Sequence, residues 1–521
     1  MSTTTRTIEG ARPLLGAEAA PAKEANPFTG RGVALDKTAA TLILLLVLAV
    51  ATNRLGLRVG GFNLRLEFIV GGILSAIALF RQRATALRTL GPVDLCLGGW
   101  LAINLISSLL FSPDVRESLK YVAILVGLLT IYAAARLLVR PGASLEWAAV
   151  AVVGAGAMVA LLGLGCAILF GMMGPNFGVL LERFYRDGVF VVTPKVQSVL
   201  WEPNIYGSFS LAVCALASAL VLARLRAGSK PDFTSSIIHR LPLAGLYLAA
   251  ALGMCGVMLS MTRTVWLIGP PLVLLIAAVA WKLRLAGPRA IALSVLVPAL
   301  VGGLVGLGVG MSLPAPQWRM GEPWELTPAQ IDDMVRQSMF GTPAGPTANP
   351  ETGGGNTAAT TPSPVPIGQG SATGDRLGEV LGDPGQAPSL AGRWRVFTDA
   401  FEGWLRRPIL GWGAGAFPLV YPPPPQGGYW IANIELHALF DTGIVGLALL
   451  AVAVVIAGRR AFNAIRYPSA LWDAQAFVTF GLLCAGLGLL AAFQVTDGSW
   501  LGFTWLLLAM LMAGGRVIPD T

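Results

Sequence analysis

Apolar residues in this chain fall in long unbroken runs, not at alternate or every-third positions. Twelve such runs predict spans at 38–56, 64–80, 92–111, 119–139, 145–172, 197–223, 241–261, 264–281, 290–312, 436–457, 474–494 and 499–515. A helix rising 1.5 Å per residue needs roughly 20 apolar residues to cross ~30 Å of hydrocarbon. Inside lipid each backbone polar group must be satisfied within its own segment, so these runs are expected to be helices. The expected fold class is an all-α polytopic membrane protein, with about 12 transmembrane helices and a large extracytoplasmic loop between helices 9 and 10.

The polar stretches divide the rest. Residues 1–36 read as a disordered cytoplasmic tail: they are rich in Ala, Thr and Pro, and no short apolar stretch ends in a small-residue cleavage site. Helices 1–9 occupy 37–312, the extracytoplasmic loop 313–435, helices 10–12 436–515, and a short cytoplasmic tail 516–521. Within the loop, 341–390 is low in complexity and dense in Gly, Pro, Thr, Ala and Ser, too polar to bury a core. Residues 391–418 differ. Trp394, Phe397, Phe401 and Trp404 recur at spacings of three and four, predicting an amphipathic helix that Pro408 and Gly411 end. Such a helix is expected on the membrane surface, its aromatic face toward lipid or toward the bundle. The run "YPPPPQGGYW" reads as a stiff connector into the tenth span.

Composition and charge sharpen this picture. The chain is 55% hydrophobic and 12% charged, against about 25% charged for a soluble domain, which excludes a single soluble core. The net charge of +9 would suit nucleic acid, but the basic residues sit in short loops flanking apolar runs, the mark of membrane topology. With the N-terminus in the cytoplasm, 21 of the 37 basic residues are cytoplasmic. Nine lie in short outer segments and seven in the long loop, which the rule does not count. The localisation expected is a bacterial inner membrane, with both termini cytoplasmic. The five cysteines, Cys96, Cys166, Cys214, Cys255 and Cys484, all fall in apolar runs without metal-ligand spacing and read as small core residues.

Charged residues held close to lipid are costly and therefore candidates for function. Arg263 lies in a turn of a few residues on the outer face, where topology does not call for a cation; its plainer role would be an anchor reaching the interface. Arg393 and Arg395 open the amphipathic helix, and Arg406 and Arg407 near its far end read as caps or lipid-phosphate contacts. A guanidinium stays charged and offers a planar fork to phosphate oxygens, so Arg263, Arg393 and Arg395 form a candidate diphosphate-binding set. Three groups could act as a base: His437 at the outer end of the tenth span, Glu435 beside it, and Glu202 at the outer edge of the sixth. Asp441 shares a helix face with His437, and Glu202 could instead pair with Arg183 or Arg186. His239 lies in a basic cytoplasmic loop and carries no role. No metal site is expected; "IDDM", with Asp332 and Asp333, is the only adjacent acidic pair in the outer loop. The short cytoplasmic loops cannot fold a nucleotide domain.

Four pieces occur in an order that resembles the O-antigen ligase and polymerase family of bacterial glycan enzymes. "EPNIYG" (Glu202 to Gly207) is similar to its Pro-Asn element opening a middle span, and "SMTR" (Ser260 to Arg263) to its Ser-x-Ser-Arg turn. "GRWRVFTDAFEGWLRRPILGWGAGAF" resembles its Arg-rich stretch leading to Pro and repeated Gly, with Arg393 in the arginine slot. "DTGIVGL" (Asp441 to Leu447) is similar to its acidic-x-Gly-x-x-Gly entry into the next span. The resemblance covers roughly 195–460. One departure stands out: counting back from Gly443 puts Ala432 and Asn433 where the family often has His-Asn, and His437 comes five residues later. The base is thus open among His437, Glu435 and Glu202, and the chain leans toward a polymerase-like branch.

The resemblance implies a metal- and cofactor-independent, inverting glycosyltransferase at the periplasmic face. Its donor would be a polyprenyl-diphosphate-linked glycan, and its acceptor a hydroxyl on a glycan or glycolipid in membrane lipid. The competing expectations are a transporter or flippase of a lipid-linked glycan or small solute, and a membrane scaffold whose loop binds a partner. The outer-end clustering of the charged residues and the lack of an internal repeat disfavour transport.

Overall fold

The computed structural model describes residues 36–59, 62–81, 90–173, 181–186, 189–200, 202–227, 236–313, 388–421, 430–466 and 473–515. The expected tails (Asp36 aside), the Asp332–Asp333 pair, the low-complexity segment up to 387 and most of the proline connector lie outside the described residues.

Helices occur at all twelve predicted positions: α1 (Lys37–Ala51), α2 (Leu66–Arg81), α3 (Pro92–Phe111), α4 (Val115–Leu138), α5 (Ala143–Met173), α6 (Pro203–Ala227), α7 (Leu243–Leu259), α8 (Arg263–Lys282) and α9 (Pro288–Ser312), then, beyond the loop helix α10 (Pro388–Arg406), α11 (Ile434–Ile465), α12 (Ala474–Ala492) and α13 (Gly502–Gly514). Eight of them, α3–α6, α8, α9, α11 and α12, are long and apolar enough to cross a membrane. Helices α1, α7 and α13 are apolar but shorter, and α2 has 16 residues. The chain is a multi-pass, mainly helical membrane protein.

Two features depart from an all-α expectation. Strands β1 (Gly56–Val59) and β2 (Phe62–Arg65) form an antiparallel hairpin before α2, and β3 (Leu181–Arg186) pairs with β4 (Val189–Val196) before α6. Both are short excursions between helices, where the chain pairs its own backbone groups. The sixth span accordingly begins at Pro203, not at 197. The loop helix also differs from its predicted 391–418. It starts at Pro388 and stops at Arg406; Arg407–Ala416 is non-helical and leads into a single turn, Phe417–Val420.

Side-chain caps set several starts. Asp36 accepts from Thr38 N (3.1 Å), Asp114 from Glu117 N (3.1 Å) and Asn433 from Leu436 N (2.8 Å), each satisfying an N–H the helix cannot. Helix α6 is the centre of the bundle, entirely buried along its apolar window, and packs against α7, α12, α5 and α8.

Helix–helix contact in lipid depends on close approach, which small residues permit. Gly302, Gly306 and Gly310 form a stripe on α9, and the first two lie directly over the α7 backbone. A Cβ on Gly302 would stand 1.9 Å from Ala251 O, and one on Gly306 2.5 Å from Cys255 O. A backbone oxygen cannot rotate aside, so Gly302→Leu is expected to lower stability by about 1–3 kcal/mol, read as a fall in melting temperature in detergent. Gly308→Leu, which faces open space, is the control.

Candidate functional site

One end of the bundle gathers the turns that carry most of the candidate residues. Arg54 N donates to Val199 O (3.4 Å), Arg65 Nη1 to Trp500 O (2.9 Å), and Ile434 N to Phe493 O (3.1 Å). The turns before α2, α6, α11 and α13 therefore meet there.

The α11 entry is built around a break. Gly443 has φ +63°, inside what is otherwise one continuous helix. A Cβ there would sit 2.2 Å from Ile409 O, so only glycine fits both the left-handed backbone and the close approach. The broken turn frees backbone groups, and the extended strap after α10 takes them up. Ile444 N donates to Pro408 O (2.9 Å), Trp412 N to Phe440 O (3.0 Å) and Gly413 N to Asp441 O (2.9 Å). Helix α3 holds the other side of the strap: Ser107 Oγ donates to Leu410 O (2.5 Å), and Ala414 N donates to Ser108 Oγ (2.9 Å). Arg407, expected to be a cap or lipid contact, is a bracket instead. It donates to Phe111 O (2.6 Å) and lies over the Trp412 ring (4.1 Å to its centroid).

His437 sits beneath this strap, 3% exposed, between two carboxylates. Its Nε2 is 3.2 Å from Asp441 Oδ2, and Nδ1 contacts Asp497 Oδ2. Trp500 Nε1 also approaches Nδ1 (3.4 Å), and Nε2 makes no hydrogen bond among the described residues, so its contact with Asp441 is ionic in character. Asp497 is fixed in turn, its Oδ1 accepting from Ser499 N (2.9 Å) and Ser499 Oγ (2.7 Å). Asp441 Oδ2 accepts from Gly415 N (2.9 Å), tying the imidazole to the strap. Trp430, Trp500 and Tyr121 enclose the cluster, with Trp430 edge-on to the imidazole at 4.9 Å. The carboxylates lie on opposite edges of the ring and cannot share one ion. Among the described residues no group of three or more His, Cys, Asp or Glu side chains is arranged to hold a metal.

Glu435 lies in the first turn of α11, where the helix dipole favours a negative charge. Its Oε1 accepts from Gln494 Nε2 (2.9 Å), while Oε2 is enclosed and has no hydrogen-bond partner among the described residues. Asn433, two residues earlier, caps α11 and donates to Gln494 O (3.2 Å). The carboxylate and the cap are thus held by one glutamine.

A second group surrounds the start of α6. Glu202 is exposed immediately before Pro203, and Arg393, half-buried at the head of α10, lies within reach of its charge. Burial lowers the Arg393 pKa, and the Glu202 carboxylate partly restores it. The side chains of Arg183 and Arg186, the other partners expected for Glu202, lie outside the described residues. Arg263 is exposed and is the first residue of α8, following the buried Ser260–Met261–Thr262 turn. Ser260 Oγ donates to Val257 O (2.7 Å), and Ser260 packs over Gly207, where a Cβ would stand 2.7 Å from its hydroxyl. The turn that leads into Arg263 thus packs on the second turn of α6, and Arg393 feels the charge of Glu202 just before that helix. A cation at a helix N-terminus works against the helix dipole, so the position of Arg263 is not explained by helix stability.

Not every expected residue joins a cluster. Arg395 is two positions from Arg393, about 200° around the helix. Its side chain is exposed and faces Asp399 at 3.9 Å, so the structure does not bring it to Arg393. Asp497 was missed by the sequence reading. Its only signal was a carboxylate in the short turn between two apolar runs, where a charge close to lipid calls for a partner.

Residues 248–451 match the model of the O-antigen ligase family. That segment is similar to the O-antigen ligase family. No curated protein matches the chain. Within the O-antigen ligase match fall the Arg263 turn, α10, the strap, the Gly443 break and His437; Glu202 and Asp497 lie outside it. The likeness of residues 248–451 to the O-antigen ligase family points to a glycan-ligating or polymerising, glycosyltransferase-like membrane enzyme.

Proposed function

We propose that this protein transfers a glycan from a polyprenyl-diphosphate donor to an acceptor hydroxyl at the periplasmic face of a bacterial inner membrane. The observation that carries the reading is a pair of arginines at one bundle end: Arg393 within reach of the Glu202 charge before α6, and Arg263 just after the turn that packs on Gly207. Arg263 adds a cation to a helix N-terminus that already attracts anions, and Arg393 is desolvated beside Glu202. Two phosphate-seeking groups at one bundle end suit a diphosphate leaving group.

In this reading the bond between the anomeric carbon and the diphosphate oxygen breaks as the acceptor oxygen bonds to the opposite face of the carbon. The two guanidinium groups take up the charge that grows on the diphosphate. Glu435 accepts the hydroxyl proton; its Oε2 has no hydrogen-bond partner among the described residues. His437 has a carboxylate at each ring nitrogen and therefore positions the strap instead of accepting a proton. Glu202 holds Arg393, and Arg395 stays outside the diphosphate set. A single displacement inverts the anomeric configuration.

The distribution of cations supports one sidedness for this reading. The opposite end of the bundle carries Arg224 and Arg226, which donate to Leu241 O and Leu285 O, together with Arg284, Arg459 and Arg460. That cationic end belongs in the cytoplasm, with both chain termini. Twelve spans and an outer loop between the ninth and tenth then follow.

Purified protein in vesicles, given lipid-linked donor and acceptor, should form a covalent product with inverted anomeric configuration. Movement of donor across the bilayer with no new glycosidic bond would replace this reading with transport.

A further inference from the structure

Helix α10 carries three distinct faces. At 100° per residue, Val396, Ala400 and Gly403 project to one side, and all three are packed. Val396 and Ala400 are buried in a small cluster with Phe417, Ile431 and Phe440, and a Cβ on Gly403 would stand 2.6 Å from the Phe440 ring. Trp394, Phe401 and Leu405 project to the opposite side and are 74%, 48% and 56% exposed. Arg395, Asp399, Glu402 and Arg406 fill the flank between them.

An apolar stripe of this kind is costly against water, at roughly 25 cal/mol for each Å² left exposed. What covers it is indicated by where the stripe leads. It runs on through exposed Ile409 to the point where Arg407 and Leu410 are tied to Phe111 and Ser107 of α3. At that point α3 exposes Leu109 and Leu110, and α11 exposes Ile444. These belong to helices long and apolar enough to cross a membrane, so their outward faces are lipid-facing. The α10 stripe is an extension of the same surface, turned along the bundle end. The charged flank beside it gives the helix a side for water and headgroups.

We propose that α10 is an interfacial helix, with Trp394, Phe401 and Leu405 dissolved in the outer lipid leaflet and Arg395, Asp399, Glu402 and Arg406 among the headgroups. Packing through Val396, Ala400 and Gly403 then couples the depth of the lipid face to Arg393 one turn earlier. The bilayer thereby holds Arg393 at the level of lipid phosphates, where a lipid-linked diphosphate resides. This consequence for Arg393 rests on the transfer reading above; the lipid contact does not.

The full chain, reconstituted in vesicles of phosphatidylethanolamine and phosphatidylglycerol, is tested with the photoreactive amino acid p-benzoylphenylalanine placed singly at 394, 401, 395 and 399. Illumination should give phospholipid adducts at 394 and 401 in yields about fivefold or more above those at 395 and 399, as expected for one immersed and one wet face. Equal yields at all four positions, or cross-linked dimers from 394 and 401, would overturn the proposal, the latter in favour of a second copy of the chain. These cross-links need no activity, so they hold or fail independently of glycan transfer. In an active preparation, Phe401→Asp should lower transfer about tenfold while Phe401→Leu preserves it.

Discussion

Arg393→Ala is expected to reduce the initial rate of glycan transfer about 10²–10³-fold, the usual effect of deleting one preorganised donor to a developing oxyanion. The cost arises because a diphosphate leaves only as fast as its growing charge is stabilised, and Arg393 is desolvated enough for its field to be strong. Arg263→Ala should have an effect of similar size. Arg393→Lys should recover only part of the rate, since an ammonium is a point charge without the planar fork. Arg395→Ala is the internal control. Its exposed side chain faces Asp399, away from Arg393, and a change within about twofold is expected, as for other surface ion pairs. Rates in proteoliposomes, normalised to folded protein by circular dichroism, make the comparison. Arg393→Ala at wild-type rate would remove the diphosphate assignment.

His437→Ala should act on stability first, by about 3–5 kcal/mol, the range for breaking a buried ion pair from one side. Without the imidazole, Asp441 and Asp497 would be left as two buried carboxylates with their shared counter-charge gone. Their other ties run to Gly415 and Ser499, so the strap and the α12–α13 turn should loosen together. The measurement is thermal unfolding in detergent, with limited proteolysis near 408–415. A compensating variant keeps the test sharp: His437→Gln with Asp441→Asn and Asp497→Asn replaces the ionic cluster by neutral amides and should regain much of the lost stability. Were His437 the general base instead, His437→Ala would melt like wild type and lose transfer alone.

The two arguments separate roles that look alike along the chain. Glu435, His437 and Asp441 occur within one stretch of seven residues, yet Glu435 is held by Gln494 while Asp441 is tied to the histidine and the strap. The five-residue offset of His437 from the family's histidine slot has a physical counterpart. The slot residue, Ala432, precedes the helix, whereas His437 lies inside its first turns, facing Asp497.

How much was legible in the amino-acid sequence differs by level. All twelve helix positions followed from apolar runs, because the bilayer imposes one length and one hydrogen-bonding solution on any crossing segment. The candidate arginines and acids were legible for a related reason: a charge held near lipid costs energy and stands out. The amphipathic character of α10 was visible in the spacing of its aromatic residues. Local pattern also misled at three points. The hairpins Gly56–Arg65 and Leu181–Val196 have strands of four to eight residues that mix apolar and charged positions, too short to stand out beside the membrane-length runs. The predicted helix ran on to 418, whereas the strap has already left helical geometry at Arg407 to pair with the broken α11 turn. Arg407 itself took a bracketing role that depends on Phe111, nearly three hundred residues away.

What the sequence determined by itself, then, is the set of apolar helices, eight of them long enough to cross a membrane, and the inventory of charged groups at their ends, since both obey rules that act within a few turns of chain. What only the tertiary structure decided is which of those groups meet: Asp497 with His437 and Gly443 with Ile409, with Arg393 brought within reach of the Glu202 charge, and Arg395 beside Asp399 and apart from the other candidate groups among the described residues. Such meetings depend on helix rotation and on backbone approach at glycines, and both are set by packing between segments far apart in the chain.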